Sequence, residues 1–281
     1  MTSSVVTSSI EPAATTTQDV ADWWTTSIIR MEPGIIEFRG RPVQDLIGNV
    51  SFVEMIWTML RPDRPTAAQA RLLEAAMVAS VDHGPQAPSI AIARMAVTCG
   101  VAINNAMASG VNVLGDVHGG AGQQCMQMLA EVIAHQDGGQ SLADASQDVV
   151  ASWRSRVRYL PGFGHRFHPV DPRRDPLLGL VEAARDAGVV KGRALAAGTA
   201  IESLLTEGRR KPVPMNIDGA TAIIYAELGF PPELGRGLFV LSRSVGILAH
   251  AWEESHSGLR NKGPIPPAIL PTYAPDAQPS H

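Results

Sequence analysis

The sequence predicts an all-α fold from two observations: the spacing of its apolar residues and the residues that mark helix ends. Apolar residues recur at helical spacing along most of the 281 residues, and capping residues, glycines and prolines mark where helices begin and end. Only residues 35–41 have the composition of extended structure, which predicts a short hairpin. Residues 1–20 are rich in Ser and Thr and contain no Arg or Lys, so we expect a disordered tail rather than a signal or transit peptide.

The helices in the first half of the chain are indicated by end signals and composition. Thr66 and Gln69 have the spacing of a capping box, which predicts a helix that follows them. The stretch 89–108 is dominated by Ala, Ile, Val and Met. Such a composition predicts one helix buried on most sides, inside a large core or at a subunit interface. A helix is also expected over residues 123–135.

The helices in the second half have clearer boundaries. Asp175 and Pro176 have the order of an N-cap followed by the first helical residue, and Gly188 fits the end of that helix. Further helices are predicted over residues 191–207, 218–228 and 233–254. In the last of them an apolar stripe is expected to face the core, formed by Leu238, Leu241, Val245, Leu248 and Trp252. The last fifteen residues are rich in Pro and are expected to be extended.

Composition excludes several classes of protein. Charged residues make up 18% of the chain, below the roughly 25% of typical soluble domains, which favours a surface hidden by self-association. The net charge of −4 argues against a general nucleic-acid-binding protein, and no apolar run approaches the ~20 residues of a membrane span. Cys99 and Cys125 lack CxxC spacing and are expected to be buried thiols in a reducing compartment. We therefore predict a cytoplasmic protein.

Three short motifs each place glycine beside a group that can move a proton. They hold His118 within residues 115–121, His165 within residues 160–166 and Asp218 within residues 215–219. Glycine lets a small substrate approach such a group closely, and imidazole and carboxylate are common general acids and bases. Together and in this order, the motifs predict an enzyme that polarises or deprotonates a small substrate.

Each group also has a purely structural interpretation. His118 fits a capping histidine beside a glycine turn, or a neutral imidazole that donates to an oxyanion, because a helix N-terminus disfavours imidazolium. Asp218 fits a plain N-cap, or a general base made more basic by an apolar setting. For either residue in isolation the structural interpretation is favoured, whereas the three motifs together favour catalysis.

Basic residues cluster around the second motif of an otherwise acidic chain. They are Arg154, Arg156, Arg158, Arg166, Arg173 and Arg174. Such clustering suits carboxylates or the phosphates of a nucleotide-bearing cofactor. A solvated charge run explains Arg154 to Arg158 equally well, whereas Arg166 and Arg173 beside a glycine loop favour a ligand. Arg243 lies on an apolar helix, where a buried guanidinium needs an anion such as a substrate carboxylate.

Six segments of the chain, in their order, form a pattern shared with a known family. They are Phe38-Arg39-Gly40, Asp82-His83-Gly84, Val117-His118-Gly119-Gly120-Ala121, Pro161-Gly162-Phe163-Gly164-His165-Arg166, Asp171-Pro172-Arg173 and Ser242-Arg243-Ser244-Val245-Gly246. Over roughly residues 23–252 the chain resembles the citrate synthase superfamily. It resembles citryl-CoA lyase and the lyase module of ATP-citrate lyase more than citrate synthase proper. That distinction is carried by the short chain, Asn216-Ile217-Asp218-Gly219 and Asp82-His83-Gly84-Pro85.

The resemblance implies an architecture. The expected protein is an all-α homodimer with a large helical domain and a small mobile helical domain, and with the active site in the cleft between them. Residues 21–124 and 236–281 would form the large domain, and residues 125–235 the small one. Residues 1–20 would remain a tail.

The resemblance also implies a role for each site residue. His118 would stabilise the enol or enolate oxygen of acetyl-CoA, Asp218 would exchange a proton with its methyl carbon, and His165 would handle the oxygen of the keto acid's carbonyl. The residues expected to bind substrate carboxylates are His83, Arg173 and Arg243. Those expected to bind coenzyme A, as part of the substrate, are Gly162, Phe163, Gly164 and Arg166. Neither a metal nor a tightly bound cofactor is expected.

One segment departs from the family's pattern. Members usually supply a further carboxylate-binding arginine from the partner subunit, after the long C-terminal helix, where this chain has Arg260, Asn261 and Lys262. Either Arg260 or Lys262 takes that place, or the substrate carries one carboxylate fewer.

We therefore predict a citryl-CoA lyase-type enzyme that cleaves citryl-CoA, or a close 3-hydroxy-3-carboxyacyl-CoA, to acetyl-CoA and oxaloacetate. Citrate or 2-methylcitrate synthase is the alternative, because the same three groups serve both directions. A non-catalytic CoA-ester-binding protein is disfavoured by the presence of all three groups, and a metal-dependent hydrolase by the lack of ligand spacing such as HxxxH. The expected partners are a CoA thioester, a small carboxylic acid and a second copy of the chain, with no nucleic acid and no membrane.

Overall fold

A computed structural model describes residues 16–165 and 168–275. Contacts between residues divide the chain into two units, residues 1–65 and residues 66–281. The described residues are mostly helical, which confirms the all-α prediction. The predicted domain boundaries at residues 124 and 235 fall inside the second unit and stay a prediction.

The first unit contains a small antiparallel sheet and short helices. Its elements are α1 (Thr17–Trp23), β1 (Ile29–Glu32), β2 (Ile35–Phe38), β3 (Arg41–Pro42), α2 (Val43–Leu46) and α3 (Phe52–Leu60). The predicted hairpin is confirmed as β2 and β3, which turn at Arg39 and Gly40, both with positive φ. Strand β1, which pairs with β2 so that Ile29 lies opposite Phe38, was not expected. Its residues Ile29–Glu32 do alternate apolar and polar, but the run has only four residues and its side chains are mostly exposed, so the pattern is too short to identify a strand.

Helix α1 begins inside the stretch expected to be a disordered tail. Thr16 and Asp19 form a capping box: the Thr16 hydroxyl accepts from the Asp19 N–H at 3.1 Å, and the Asp19 carboxylate accepts from the Thr16 N–H at 2.8 Å. The prediction is therefore wrong for residues 17–20, where the Thr-rich composition supplies an N-cap. The rest of the predicted tail, residues 1–15, lies outside the described residues.

In the second unit the described elements are helices. They are α4 (Ala67–Ser80), α5 (Pro88–Thr98), α6 (Ile103–Asn112), α7 (Ala121–Asp137), α8 (Leu142–Arg156), α9 (Arg174–Asp186), α10 (Arg193–Thr206), α11 (Ile217–Glu227) and α12 (Pro232–Ser255). The capping box of Thr66 and Gln69 opens α4 as predicted. No helix in the described part of the chain is both long enough and apolar enough to cross a membrane.

The stretch 89–108 forms two helices rather than one. Between α5 and α6, Gly100 has a φ of +89°, a conformation through which a right-handed helix does not continue. The break leaves Cys99 exposed, which corrects the expectation that both thiols are buried, whereas Cys125 is buried. Both cysteines are free.

Helix α9 begins two residues before the predicted position. The Asp171 carbonyl accepts from the Arg174 N–H, and the Asp171 carboxylate accepts from the Arg173 N–H, both at 3.1 Å. These bonds start the turn at Arg174, so Asp175 and Pro176 lie inside the helix and Asp175 is not its N-cap.

The apolar stripe of α12 does not face the core of the single chain. Within that stripe Leu238 is buried, whereas the other four side chains are 41–59% exposed: Leu248, Leu241, Val245 and Trp252. The prediction is therefore wrong for these four residues. Helical periodicity identifies an apolar face, but it does not reveal what covers that face.

Small side chains bring α5, α6 and α12 close together. Their buried contact is formed by Ile90, Ala93, Ala106, Ile247 and Ala251. On α6, a Cβ at Gly110 would lie 2.7 Å from the Ser89 carbonyl oxygen, so glycine is needed for this close approach. Helix α11 is buried along most of its length. The packing of α11 therefore fixes the place of Asp218 in its first turn.

Candidate active site

His118 lies in the turn before α7, and its ring meets the N-terminus of a different helix. Its Nε2 is 3.1 Å from the backbone nitrogen and 3.0 Å from Oγ of Ser89, in the first turn of α5. Because a backbone N–H can only donate, Nε2 accepts, and the proton of the neutral ring lies on Nδ1. Burial lowers the pKa of His118, and the charge of Arg243 lowers it further. His118 is therefore held neutral, with Nδ1–H as its donor.

The loop that carries His165 pairs with the segment before α11. The Gly164 N–H donates to the Pro214 carbonyl at 2.7 Å, and the Asn216 N–H donates to the Gly162 carbonyl at 3.0 Å. Gly162 has a φ of +84°, and a Cβ there would lie 2.7 Å from Sγ of the buried Cys125, so this pairing requires glycine. The pairing joins the second and third predicted motifs.

The His165 ring lies among two other histidines and a carboxylate. Its Nδ1 accepts from the His168 N–H at 3.0 Å, and its Nε2 is 3.8 Å from Oδ2 of Asp171. The ring centroids of His165 and His83 are 5.7 Å apart. Burial lowers the pKa of His165, and the charge of Asp171 opposes that shift. Because Nδ1 accepts, the proton of the neutral ring lies on Nε2.

Asp218 lies in the first turn of α11, and it is not the N-cap. The N-cap is Asn216, whose Oδ1 accepts from the N–H groups of Asp218 at 2.9 Å and Gly219 at 3.3 Å. The structural interpretation of Asp218 is therefore wrong, and its carboxylate is free of that role. Burial raises the pKa of Asp218, against the opposing charges of Arg243 and Arg173. Such a carboxyl holds a proton more readily than an exposed aspartate does.

Arg243, on α12, is a buried cation. It is 6% exposed, its Nε donates to the Ser80 carbonyl at 3.1 Å, and its guanidinium lies 4.9 Å from the centroid of the Phe239 ring. Burial lowers the pKa of Arg243, which the charge of Asp218 opposes. Within the described chain only Nε of this guanidinium makes a hydrogen bond, so its remaining donors suit a substrate carboxylate.

Asp171 connects the site, although the motif analysis gave it no role of its own. Its buried carboxylate accepts from Nε and Nη2 of Arg173, both at 2.9 Å, and from the Ile217 N–H at 3.1 Å. Burial alone would raise the pKa of Asp171, but the hydrogen bonds and charge of Arg173, together with Ile217, lower it to about 2. Asp171 thus fixes both Arg173 and the start of α11. The signal in the sequence was its position two residues before Arg173, in an Asp-Pro-Arg segment.

His83, after α4, completes the site beside Arg173 and Arg243. Burial lowers the pKa of His83, and the charges of Arg173, Arg243 and His165 lower it further. The structure thus brings together the six residues predicted to act on the substrate, which are His83, His118, His165, Arg173, Asp218 and Arg243. Their individual roles stay a prediction.

A cavity of about 640 Å³ lies beside His165. Its wall includes Phe163, Gly164, His165, Arg154, Arg158 and Arg209. Gly162 is buried under this loop and does not line the cavity, and Arg166 lies outside the described residues. Arg209 was missed by the sequence analysis, because the basic run 209–211 lies far along the chain from the other arginines.

Lys262, one of the two candidates for the missing arginine, is engaged within its own chain. Its N–H donates to Oγ1 of Thr98 at 3.0 Å, and its Nζ lies 3.8 Å from the buried carboxylate of Glu254. The Asn261 N–H donates to the Thr98 carbonyl at 2.8 Å. Arg260 is exposed and forms no ion pair with another described residue. The geometry therefore favours Arg260.

Sequence comparisons identify relatives of this chain. Residues 56–264 match the family model described as citrate synthase, C-terminal domain. The glyoxysomal citrate synthase of Cucurbita maxima is 29% identical over 232 residues, which cover 78% of this chain and 42% of that protein. The chain thus spans less than half the length of that relative.

Two solved structures are similar in fold. Citryl-CoA lyase from Hydrogenobacter thermophilus aligns with a TM-score of 0.78 and 29% identity, over 91% of this chain and 96% of that one. ATP citrate lyase from Methanothrix soehngenii, in complex with citrate and coenzyme A, aligns with a TM-score of 0.76 and 18% identity, over 98% of this chain and 47% of that one. Because the family model extends over most of the sequence and the fold agrees with it, the chain belongs to the citrate synthase family.

Proposed function

We propose that this protein cleaves (3S)-citryl-CoA, or a close 3-hydroxy-3-carboxyacyl-CoA, to acetyl-CoA and oxaloacetate. The observation that carries the proposal is the meeting of Asp218, His118 and His165 in one cationic site. A base, an oxyanion donor and an acid are what the cleavage of a tertiary alcohol next to a thioester needs. Similarity to the citryl-CoA lyase of H. thermophilus over 91% of the chain supports the lyase reaction.

Cleavage breaks the bond between the acetyl methylene carbon and the carbon that bears the hydroxyl group. The hydroxyl proton passes to Nδ1 of His165 as the ketone of oxaloacetate forms, and Nδ1 gives up its hydrogen bond from the His168 N–H in this step. The Nε2–H of the resulting imidazolium faces the Asp171 carboxylate. The electron pair of the broken bond moves onto the thioester as an enolate, whose oxygen accepts a hydrogen bond from Nδ1–H of His118. Asp218, whose pKa is raised by burial, then donates its proton to the enolate carbon and completes the methyl group.

Arginine and histidine side chains of the site bind the anionic ends of the substrate. His83, Arg173 and Arg243 hold carboxylates of the oxaloacetate part. The nucleotide end of coenzyme A occupies the cavity beside His165, with the phosphates near the cavity's arginines. In this role Phe163 and Gly164 contact the ligand, whereas Gly162 allows the loop its close approach to the segment before α11.

We also propose that the protein is a homodimer. The exposed stripe of α12, formed by Leu241, Val245, Leu248 and Trp252, is a contiguous apolar face of the kind that marks a protein interface. A second copy is the occupant that fits it, because the stripe lies on the helix that carries Arg243 and precedes Arg260, the residue expected to reach a partner's site.

Citrate synthase is the second candidate. The relative from C. maxima bears that name at 29% identity, and condensation uses the same three groups in reverse. A synthase must in addition admit water to the thioester carbonyl. A CoA-ester-binding protein without activity would have no need for three proton-moving groups in one site.

Incubation with citryl-CoA, and separately with acetyl-CoA and oxaloacetate, distinguishes these candidates. Acetyl-CoA and oxaloacetate as the products of citryl-CoA, without free CoA, support the lyase. Release of free CoA together with citrate identifies a synthase and overturns the lyase proposal. Binding of CoA without turnover in either mixture overturns both enzymes and supports the binding protein.

Asp218→Asn is expected to lower kcat by about 100-fold or more, the range of general acid–base catalysis. Coenzyme A should bind nearly as it does to the wild type, because Asp218 lies among the cations of the carboxylate site and does not line the cavity. Steady-state kinetics and isothermal titration calorimetry measure the two effects. A variant that keeps more than about a tenth of the kcat would show that another residue is the acid.

A further inference from the structure

His250, on α12, bridges two charged side chains that the proposed mechanism does not use. Its Nδ1 lies 3.1 Å from Nη1 of Arg94, and its Nε2 lies 3.3 Å from each carboxylate oxygen of Asp82. A guanidinium has donors but no acceptor, so Nδ1 must accept from Arg94. The proton of the neutral ring then lies on Nε2 and is donated to Asp82.

Asp82 uses the same carboxylate to shape the turn that presents His83. Its Oδ2 accepts from the Gly84 N–H at 3.1 Å, and Gly84 has a φ of +80°, so the turn closes around His83. A contact that such a carboxylate makes outside the turn fixes the orientation of the turn further. His250 supplies that outside contact.

The other side of His250 is anchored as well. Nη1 of Arg94 donates to Glu253 at 2.9 Å, and Nη2 of Arg94 pairs with the buried Glu254. One turn before His250, a Cβ at Gly246 would lie 3.1 Å from Oδ1 of Asp82, so α12 and Asp82 are in close contact. The imidazole is thus held between a fixed cation and the turn.

We propose that His250 is a positioning residue that orients His83 towards the substrate carboxylate through Asp82. The inference rests on the proposed function, because that function gives His83 its role. His250 contacts Asp82 and Arg94 rather than the reacting groups. Its loss therefore affects KM for the carboxylate-bearing substrate and leaves kcat nearly unchanged.

Three variants separate positioning from bulk packing. His250→Gln keeps one acceptor for Arg94 and one donor for Asp82, because a carboxamide offers both. His250→Leu removes both. His256→Leu is the matched control, since His256 directly follows α12 and its ring contacts the Trp252 carbonyl, not Asp82 or Arg94.

His250→Leu is expected to raise KM for citryl-CoA about tenfold, the loss of a hydrogen bond to a charged group, with kcat changed by less than about threefold. His250→Gln and His256→Leu should keep KM within about threefold of the wild type. An unchanged KM in His250→Leu, or an equal rise in His250→Gln, overturns the proposal.

A second measurement does not depend on turnover. In the ligand-free, ¹⁵N-histidine-labelled protein, the His83 signals are assigned with His83→Gln. The His83 chemical shifts should change in His250→Leu and in Asp82→Ala, and they should stay the same in His250→Gln. Signals that stay in place in both of the first two variants overturn the proposal, even if His250→Leu folds poorly. If the wild type does not cleave citryl-CoA, the proposed function fails while this experiment still decides the positioning.

Discussion

Replacing Asp171 with Asn is expected to destabilise the fold by about 2–3 kcal/mol. The pKa of Asp171 is about 2 in the folded protein, against an ordinary value of 3.8, and each pKa unit corresponds to about 1.4 kcal/mol. The folded state therefore favours the charged form of Asp171 over its protonated form by that much more than the unfolded chain does. Asn matches Asp in size, but it lacks the charge and turns an NH₂ group towards Arg173 or the Ile217 N–H.

The effect has a defined pH dependence. A group whose pKa is lowered by folding stabilises the fold above its unfolded pKa, here 3.8, and that contribution is lost as the pH falls through about 2. The difference in the free energy of unfolding between wild type and Asp171→Asn should be complete at about pH 7 and decline from about pH 4 towards pH 2.

Urea unfolding followed by circular dichroism, at one fixed protein concentration, measures this difference. Asp175→Asn is the control, because Asp175 pairs with Arg174 at the surface with its side chain 69% exposed, where a pair contributes less than about 1 kcal/mol. A loss below about 1 kcal/mol for Asp171→Asn at about pH 7, or a loss that does not decrease between about pH 4 and pH 2, refutes the reasoning.

Three further predictions concern the carboxylate site, the helix packing and the assembly. Arg243→Ala should weaken binding of the citryl substrate by on the order of 2–5 kcal/mol and leave the affinity for CoA unchanged. Arg260→Ala should raise the steady-state KM for the citryl substrate as much as Arg243→Ala does. An unchanged KM in Arg260→Ala indicates a substrate with fewer carboxylates. Gly246→Ala should destabilise by about 1–3 kcal/mol in urea unfolding, because its Cβ would lie 2.2 Å from a carbonyl oxygen, whereas Gly237→Ala meets open space. Val245→Glu should convert the dimer to a monomer in light scattering; a folded monomeric wild type contradicts the dimer.

The groups proposed for catalysis could be found in the sequence, but their partners could not. Glycine beside His118 is a local pattern, whereas the residue that fixes its tautomer, Ser89, lies on another helix and leaves no trace near the motif. At the start of α11, Asn216 and Asp218 are both good N-caps by composition. Only the structure shows that Asn216 takes that position and that the Asp218 carboxylate does not cap the helix.

The helices were predictable from periodicity, and their interruptions and coverings were not. One positive φ at Gly100 divides a stretch whose composition favours a single helix. Asp171 starts α9 early because it accepts hydrogen bonds from the N–H groups of Arg173 and Arg174. Asp175 has the same kind of side chain, so the sequence does not show which of the two makes such bonds. The α12 stripe has the spacing of a core face, yet four of its five residues are exposed in the single chain, because helical spacing identifies an apolar face and not what packs against it.

The pairing of residues 162–164 with residues 214–216 has a consequence for recombination. The first turn of α11, which follows the second segment, lies as close: a Cβ at Gly219 would be 2.5 Å from the Gly162 carbonyl oxygen. A chimera that takes one segment from this chain and the other from a divergent relative would join surfaces that were not fitted to each other. We therefore expect functional recombinants to keep His165 and Asp218 from the same parent and to lack crossovers between them.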